Sequence, residues 1–199
     1  MSEIKQSFMN KAREDKFIIV FDIPPILKKL ASKYNRSNRT VIPDSVQYSI
    51  RSTVVPEIVV PGVEVRNLGS TLYISSHNKS SYPPVSVEFN IDNQYNNYWM
   101  IYQWLNLLHD EKTGIYNSNN IIVDDTYSDY QPDITIYGLD EFGKKVIKFT
   151  YKKAFPTSLK SVEYNYNGGE GVELLGGFVF LYSQMQVEVI NEDLTTISF

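Results

Sequence analysis

The chain has no cysteine among its 199 residues. That removes disulfides, thiolate nucleophiles and every zinc site built on sulfur, and it fits synthesis in a reducing cytoplasm. Nor is there a basic excess: 19 Lys and Arg stand against 23 Asp and Glu, a net charge of −4. A protein that grips nucleic-acid phosphates needs the opposite balance. No run approaches the ~20 apolar residues that span a bilayer. The opening M-S-E-I-K-Q-S-F-M-N-K has no apolar signal core, so neither membrane insertion nor secretion by a cleaved signal is expected. The glycosylation triplets at Asn35, Asn38 and Asn78 are then chance matches to a common pattern. Histidine is scarce too. His77 sits in a polar turn and His109 at a helix end, where a cation suits the dipole. No nucleophile motif such as G-x-S-x-G accompanies either.

What the chain has is aromatic and β-branched residues. Fifteen Tyr and ten Phe suit half-buried pleated surfaces, and 42% apolar content is enough for one core in a single domain of residues 1–199. Residues 16–23 (K-F-I-I-V-F-D-I) read as a buried strand ended by Pro24 and Pro25. Alternation predicts half-buried strands at 45–53, 85–92 and 144–152, shorter ones at 72–75 and 133–137, and renewed alternation at Val162, Tyr164 and Tyr166. Residues 177–189 read as one long last strand, and 154–159 (A-F-P-T-S-L) as a break. Two prolines and a glycine bend the segment 54–65. Residues 1–15 form a polar N-terminal arm, and 114–131 a long polar loop, the kind that is usually functional or a contact surface.

One helix stands out, at 96–109 (N-N-Y-W-M-I-Y-Q-W-L-N-L-L-H). Ile101, Trp104, Leu105 and Leu108 fall at i, i+3, i+4 and i+7 and line one face. Asn96 or Asn97 is the expected cap, and Gly114 the expected stop. An apolar helix among strands covers the open face of a sheet.

Residues 26–42 differ in kind. They carry Lys28, Lys29, Lys33, Arg36 and Arg39 and no acid. Removing these five from the 19 cations leaves 14 against 23 acids, so the remainder is near −9. The segment reads either as a solvated connection or as a basic tab for an acidic partner surface.

No catalytic constellation emerges, and no cofactor is implied. G-L-D-E-F-G-K-K at 138–145 imitates a phosphate loop but ends on Lys145 instead of a hydroxyl, carries Asp140 and Glu141 where phosphates would sit, and lies between strands. Asp124, Asp125 and Asp129 cluster without the spacing of a calcium loop. The aromatic helix has acidic neighbours (Asp92, Asp110, Glu111), which suits core packing better than base stacking.

The order of these parts resembles the tail tube proteins of contractile-tailed bacteriophages. The residues that carry the resemblance are V-P-E-I-V-V-P-G-V-E-V at 55–65 and V-S-V-E-F-N-I-D at 85–92 before the helix. V-I-K-F-T-Y-K-K-A-F-P-T-S-L-K-S-V-E-Y-N-Y at 146–166 and F-V-F-L-Y-S-Q-M-Q-V-E-V at 178–189 complete the set. The basic insertion 26–42 departs from the family pattern. The resemblance implies a mainly β fold, a sandwich or barrel-like tail-tube domain with a flanking α-helix at about 97–109. It implies homo-hexameric rings stacked into a hollow tube, with sheath and baseplate or terminator proteins as partners. DNA would pass through the lumen without specific binding. It also implies a relation to type VI secretion inner tubes, and a virion tail assembled in the host cytoplasm.

Within that expectation, one polar strand face lines the lumen: Glu88, Asn90 and Asp92, or Gln184, Gln186 and Glu188. The opposite faces (Val85, Val87, Phe89, Ile91; Met185, Val187, Val189) then pack in the core. The near alternative is a baseplate tube-initiator or tail-terminator ring of the same fold. The distant one is a carbohydrate-binding β-sandwich using Tyr127, Tyr130 and Tyr137.

Overall fold

The computed structural model describes residues 11–22, 24, 27, 49–106, 131–166, 172–190 and 196–198. The cations at 28, 29, 33, 36 and 39, Leu108, His109, Gly114 and the acidic cluster at 124–129 lie outside the described residues, as do Tyr127 and Tyr130. Leu27, at the head of the basic segment, is buried, and its N–H bonds back to the Pro24 carbonyl at 2.9 Å.

Two antiparallel sheets face each other. One has the order β1 (Phe17–Phe21), β6 (Ile134–Leu139), β7 (Lys145–Lys152), β10 (Gln184–Ile190), β11 (Thr196–Ser198). The other has the order β2 (Ile50–Thr53), β5 (Val85–Asn90), β9 (Leu175–Leu181), β8 (Phe155–Leu159). A separate hairpin joins β3 (Gly62–Asn67) to β4 (Ser70–Ser75). Because successive strand side chains point to opposite faces, V-S-V-E-F-N places Val85, Val87 and Phe89 inward, at 1%, 0% and 0% exposure. They meet Phe178 and Phe180 from β9, Ile19 and Phe21 from β1, Ile134 and Ile136 from β6, and Tyr151 from β7. Aromatic rings bridge the layers: Phe21 to Phe178 at 5.8 Å and Tyr151 to Phe180 edge-on at 5.4 Å. Such pairs add about 0.5–1.5 kcal/mol each beyond their buried area. Glycine at 176 lets β9 sit close to β5: a Cβ there would stand 3.1 Å from the Phe89 ring.

The sandwich turns its corners where the sequence suggests breaks or nothing at all. Within residues 154–159, expected to break the preceding strand, Phe155–Leu159 form β8. Lys153 adopts a left-handed φ of 52°, which swings the chain from β7 in one sheet to β8 in the other. Pro156 is tolerated because β8 is an edge strand with a register shift at that point. The long strand expected at 177–189 is likewise two strands. β9 pairs with β8, and after Tyr182 and Ser183 β10 pairs with β7. The Ser183 N–H and hydroxyl both donate to the Lys152 carbonyl, at 2.9 and 3.1 Å, so the two bends are locked together. Strands that switch sheets in this way make the corners of a barrel-like sandwich. The alternation at Val162, Tyr164 and Tyr166 forms no strand, and both tyrosines point into solvent. Of the strand expected at 45–53, only Ile50–Thr53 is a described strand.

The helix α1 (Asn96–Asn106) packs against β8. Its buried stripe is Asn97, Met100, Ile101 and Trp104, with Leu105 only half-buried. Among the described residues the stripe therefore begins one turn nearer the N-terminus than the apolar pattern suggests. The reason is Asn97, a polar residue that is fully buried because every direction is bonded. Its Oδ1 accepts from the N–H groups of Asp92 (3.2 Å) and Tyr98 (2.8 Å), while its Nδ2 donates to the Asn90 carbonyl (2.8 Å) and Ser49 Oγ (3.2 Å). The cap expected from Asn96 or Asn97 is shared: Asn97 Oδ1 takes the first-turn N–H of Tyr98, and Asp92 Oδ1 accepts from Gln94 N–H and Asn96 N–H at 2.9 and 2.8 Å.

Candidate assembly surfaces

The outward face of the four-stranded sheet presents Glu88 and Asn90. Ser52 Oγ donates to Glu88 at 2.9 Å and Lys160 Nζ at 2.7 Å. Lys160 reaches across β9 because residue 177 is glycine: a Cβ there would stand 2.7 Å from Lys160 Cδ. The Lys160 ammonium first, and the Ser52 hydroxyl after it, hold the Glu88 carboxyl below its ordinary range. Asn90 Nδ2 donates to Glu173 at 2.5 Å. Asp92, expected beside them, is withdrawn from this face to cap the helix.

The outward face of the five-stranded sheet carries Gln184, Gln186 and Glu188, registered against Lys152, Thr150 and Lys148. Lys148 pairs with Glu188 at 3.1 Å and Lys152 with Asp133 at 2.5 Å. Lys145 Nζ stands 4.0 Å over the Tyr137 ring, which is half-buried beneath it. Val189, expected in the core, is 39% exposed. It pairs with Ile147 near the start of β7, where the strands have run past the core cluster.

The imitation phosphate loop is a hairpin turn. Asp140 Oδ1 itself accepts the N–H groups of Phe142 and Lys144, at 2.9 and 2.7 Å, that a phosphate would need. A hollow of about 290 Å³ between residues 11–16 and this hairpin is walled by Lys11 and Lys16 opposite Asp140 and Glu141. Its lining holds no histidine, serine or threonine. Among the described residues no group of three or more His, Asp or Glu is placed to hold a metal, and no helix is long and apolar enough to cross a membrane.

A further apolar surface is exposed on an arm. Residues 54–83 leave β2 and return at β5 as an arm. Val63 pairs with Ile74 and Val65 with Leu72, so the four side chains share one face of the hairpin. Val63 is 45% exposed and Ile74 54%, and β4 is exposed along its whole length. Two residues, Leu68 and Gly69, make the turn, both left-handed (φ 45° and 84°). That geometry usually selects Asn-Gly, so a leucine in the first position hides the hairpin from a sequence reader. V-E-V-R before the turn and T-L-Y-I after it were the available signal.

Residues 12–180 match the family model for phage tail tube proteins. The chain belongs to that family. Solved structures share its fold. A chain of the sheath–tube complex of an extracellular contractile injection system (PVC, extended state) is 13% identical, with 92% of this chain and 95% of that one covered and a TM-score of 0.58. The tube-terminating cap of the anti-feeding prophage is also 13% identical, covering 96% and 100% at a TM-score of 0.58. A chain of that prophage's baseplate, in a six-fold symmetrised structure, is 14% identical, covering 90% and 97% at 0.54. A comparison with curated protein sequences finds no match. Tube-family membership makes this a structural protein, and its sheet faces, sheet edges and arm are the candidate assembly surfaces.

Proposed function

We propose that the chain is the repeating subunit of a phage tail tube. Six copies close into a ring, rings stack into a hollow tube within the virion tail, and the genome leaves through the lumen without being held. The occurrence of a fold-related chain in a six-fold symmetrised baseplate structure supports the ring number. The observation that carries the reading is the four-stranded sheet. Among the described residues its outer strands, β2 and β8, each pair on one side only. Open edges in a monomer invite association, and closing such sheets edge to edge into one barrel removes them.

The same sheet is the better lumen wall. Its outward face is built from Ser52, Glu88, Asn90 and Gly177, with Glu88 neutralised by Lys160. The five-stranded sheet instead displays Lys145, Lys148 and Lys152 against Asp133 and Glu188. Cations on a lumen wall would grip phosphates and slow a sliding duplex. Glu88 and Asn90 thus face the channel, and Gln184, Gln186 and Glu188 face outward toward a sheath. The tail is assembled in the host cytoplasm, with sheath, baseplate and terminator proteins as partners.

Negative-stain microscopy of the purified protein tests this. Hollow six-membered rings, longer tubes among them, are expected at high concentration, and persistently monomeric particles would sink the proposal. A second reading, a ring that ends or starts the tube, draws on the likeness to a tube-terminating cap and on the basic insertion 26–42 as a tab for a unique partner. It predicts single rings that never polymerise.

A further inference from the structure

One antiparallel ribbon runs through both sheets. Lys152 opposes Gln184 in the five-stranded sheet, and three residues on Phe155 opposes Leu181 in the four-stranded one. The register passes the corner between them without a slip. The corner is therefore a bend in a single ribbon made of β7 with β8 and β9 with β10. These two crossings are the short links between the sheets; β1 to β2 and β5 to β6 are far longer connections.

A ladder of backbone bonds does not by itself specify a bend. Here a small set of bonds beside the ladder does so. The Ser183 N–H and hydroxyl reach the Lys152 carbonyl from the second strand. The Ala154 N–H donates to the Pro132 carbonyl at 2.9 Å. Between these points stands Lys153, in a left-handed conformation that a residue with a Cβ adopts at a cost. Its N–H donates to Asp133 Oδ1 at 3.2 Å, while Lys152 Nζ donates to Asp133 Oδ2. The Asp133 carbonyl accepts the Asp22 N–H, which follows β1, at 3.4 Å. Asp133 thus joins the end of β1, the start of β6 and the crossing from β7 to β8.

The inside of the bend is less complete. Tyr151 and Tyr182, the residues just before Lys152 and Ser183, meet edge-on at 4.8 Å. Both hydroxyls are buried without a hydrogen-bond partner among the described residues. An unpartnered buried hydroxyl weighs against the packed state, so the interior of the bend secures it less well than the bonds outside.

We infer that Asp133 and Ser183 fix the angle between the two sheets. Asp133 holds Lys153 in the conformation that turns the ribbon, and Ser183 ties the other strand to the peptide beside it. β8 leaves this corner directly and is an outer strand of the four-stranded sheet among the described residues. The angle at the corner therefore sets the direction in which that edge is offered to a neighbouring copy. For ring closure this rests on the tube-subunit reading: the stitches decide whether copies meet at the curvature of a closed ring.

The absence of cysteine lets two spin labels be placed on a clean background. Ser158→Cys on β8 and Val189→Cys on β10 are exposed positions on opposite limbs of the bend. Pulsed electron paramagnetic resonance on unassembled protein reads the distribution of distances between them. Asp133→Ala should broaden it roughly two-fold, because few bonds oppose local opening there. Asp133→Asn keeps an oxygen for the Lys153 N–H and should retain the parent's distribution. A folded Asp133→Ala with the parent's width, or equal broadening in both variants, overturns the inference. If Asp133→Ala does not fold, Ser183→Ala decides, since it removes the hydroxyl and leaves the N–H bond: broadening supports the inference and an unchanged width overturns it. Micrographs of the unlabelled Asp133→Ala read the consequence. Mixed ring sizes or open arcs are expected; rings as uniform as the parent's, beside a broadened distance, would sever the bend from ring closure. A parent that forms no rings would defeat the tube-subunit reading, while the label distances would still decide the bend.

Discussion

The strand β5 and the arm strand β3 are written in the same alternating style and meet opposite fates. V-S-V-E-F-N buries its Val85, Val87 and Phe89 completely, whereas in V-E-V-R the side chains of Val63 and Val65 stay about half exposed. Alternation states that one face prefers to leave water; it does not state what will cover that face. For β5 the cover is the five-stranded sheet of the same chain. For the arm the described residues hold no cover.

The sharpest way to break the comparison is to damage each face in turn. Phe178→Ala empties the core beneath β5 and should cost about 3–5 kcal/mol of stability, read from the denaturant midpoint of unassembled protein. The double change Val63→Ser with Ile74→Ser should move that midpoint by less than about 1 kcal/mol, as surface changes do, yet abolish tubes in electron micrographs. Equal damage to stability from both would refute the distinction. Asn97→Ala comes next. It strands the Asp92 N–H and the Asn90 carbonyl at the root of the helix, so a loss of about 1–3 kcal/mol is expected, measured by thermal melting. Gly176→Ala forces a methyl toward the Phe89 ring and should cost a similar ~1–3 kcal/mol by overpacking; an unchanged melting temperature would show that Phe89 has room to move.

The smallest effect concerns the proposed channel wall. Glu88→Gln should cost less than about 1 kcal/mol, because the Lys160 pair is largely solvated. The sign with pH follows from the cause. Lys160 and Ser52 lower the folded-state pKa of Glu88. Its contribution is therefore complete above the ordinary carboxylate range and lost as pH falls through the lowered folded value. The gap between parent and variant should close in acid, and a gap that widened there would contradict the pairing.

Several elements were legible because their causes are local. β5 and β7 follow from period-two patterns, and the hairpin at 139–145 from an aspartate and a glycine spaced for a turn. The helix follows from its apolar stripe, although the stripe's true centre was hidden by Asn97, whose burial depends on partners in β5 and at Ser49. Of the two polar faces proposed for the lumen, the sequence offered both with equal force. Only the tertiary structure shows that Lys160, far along the chain, crosses Gly177 to pair with Glu88 on one face, while the other carries Lys145 beyond its two lysine–carboxylate pairs. The arm was missed because Leu68 occupies a turn position that normally declares itself with asparagine or glycine.

By itself, then, the sequence determined the alternating strands β5 and β7, where the single strong helix lies, that thiol chemistry is excluded, and the family to which the ordered parts belong. Tertiary structure alone decided that 154–159 continues as a strand and that 177–189 divides into two. Those outcomes depend on sheet partners distant in sequence and on one left-handed residue, Lys153, whose side chain gives no warning of it. It also decided that the most exposed apolar ribbon stands away from the core. Period and composition set the preferences of a face, but which surface comes to meet it is fixed by long-range pairing.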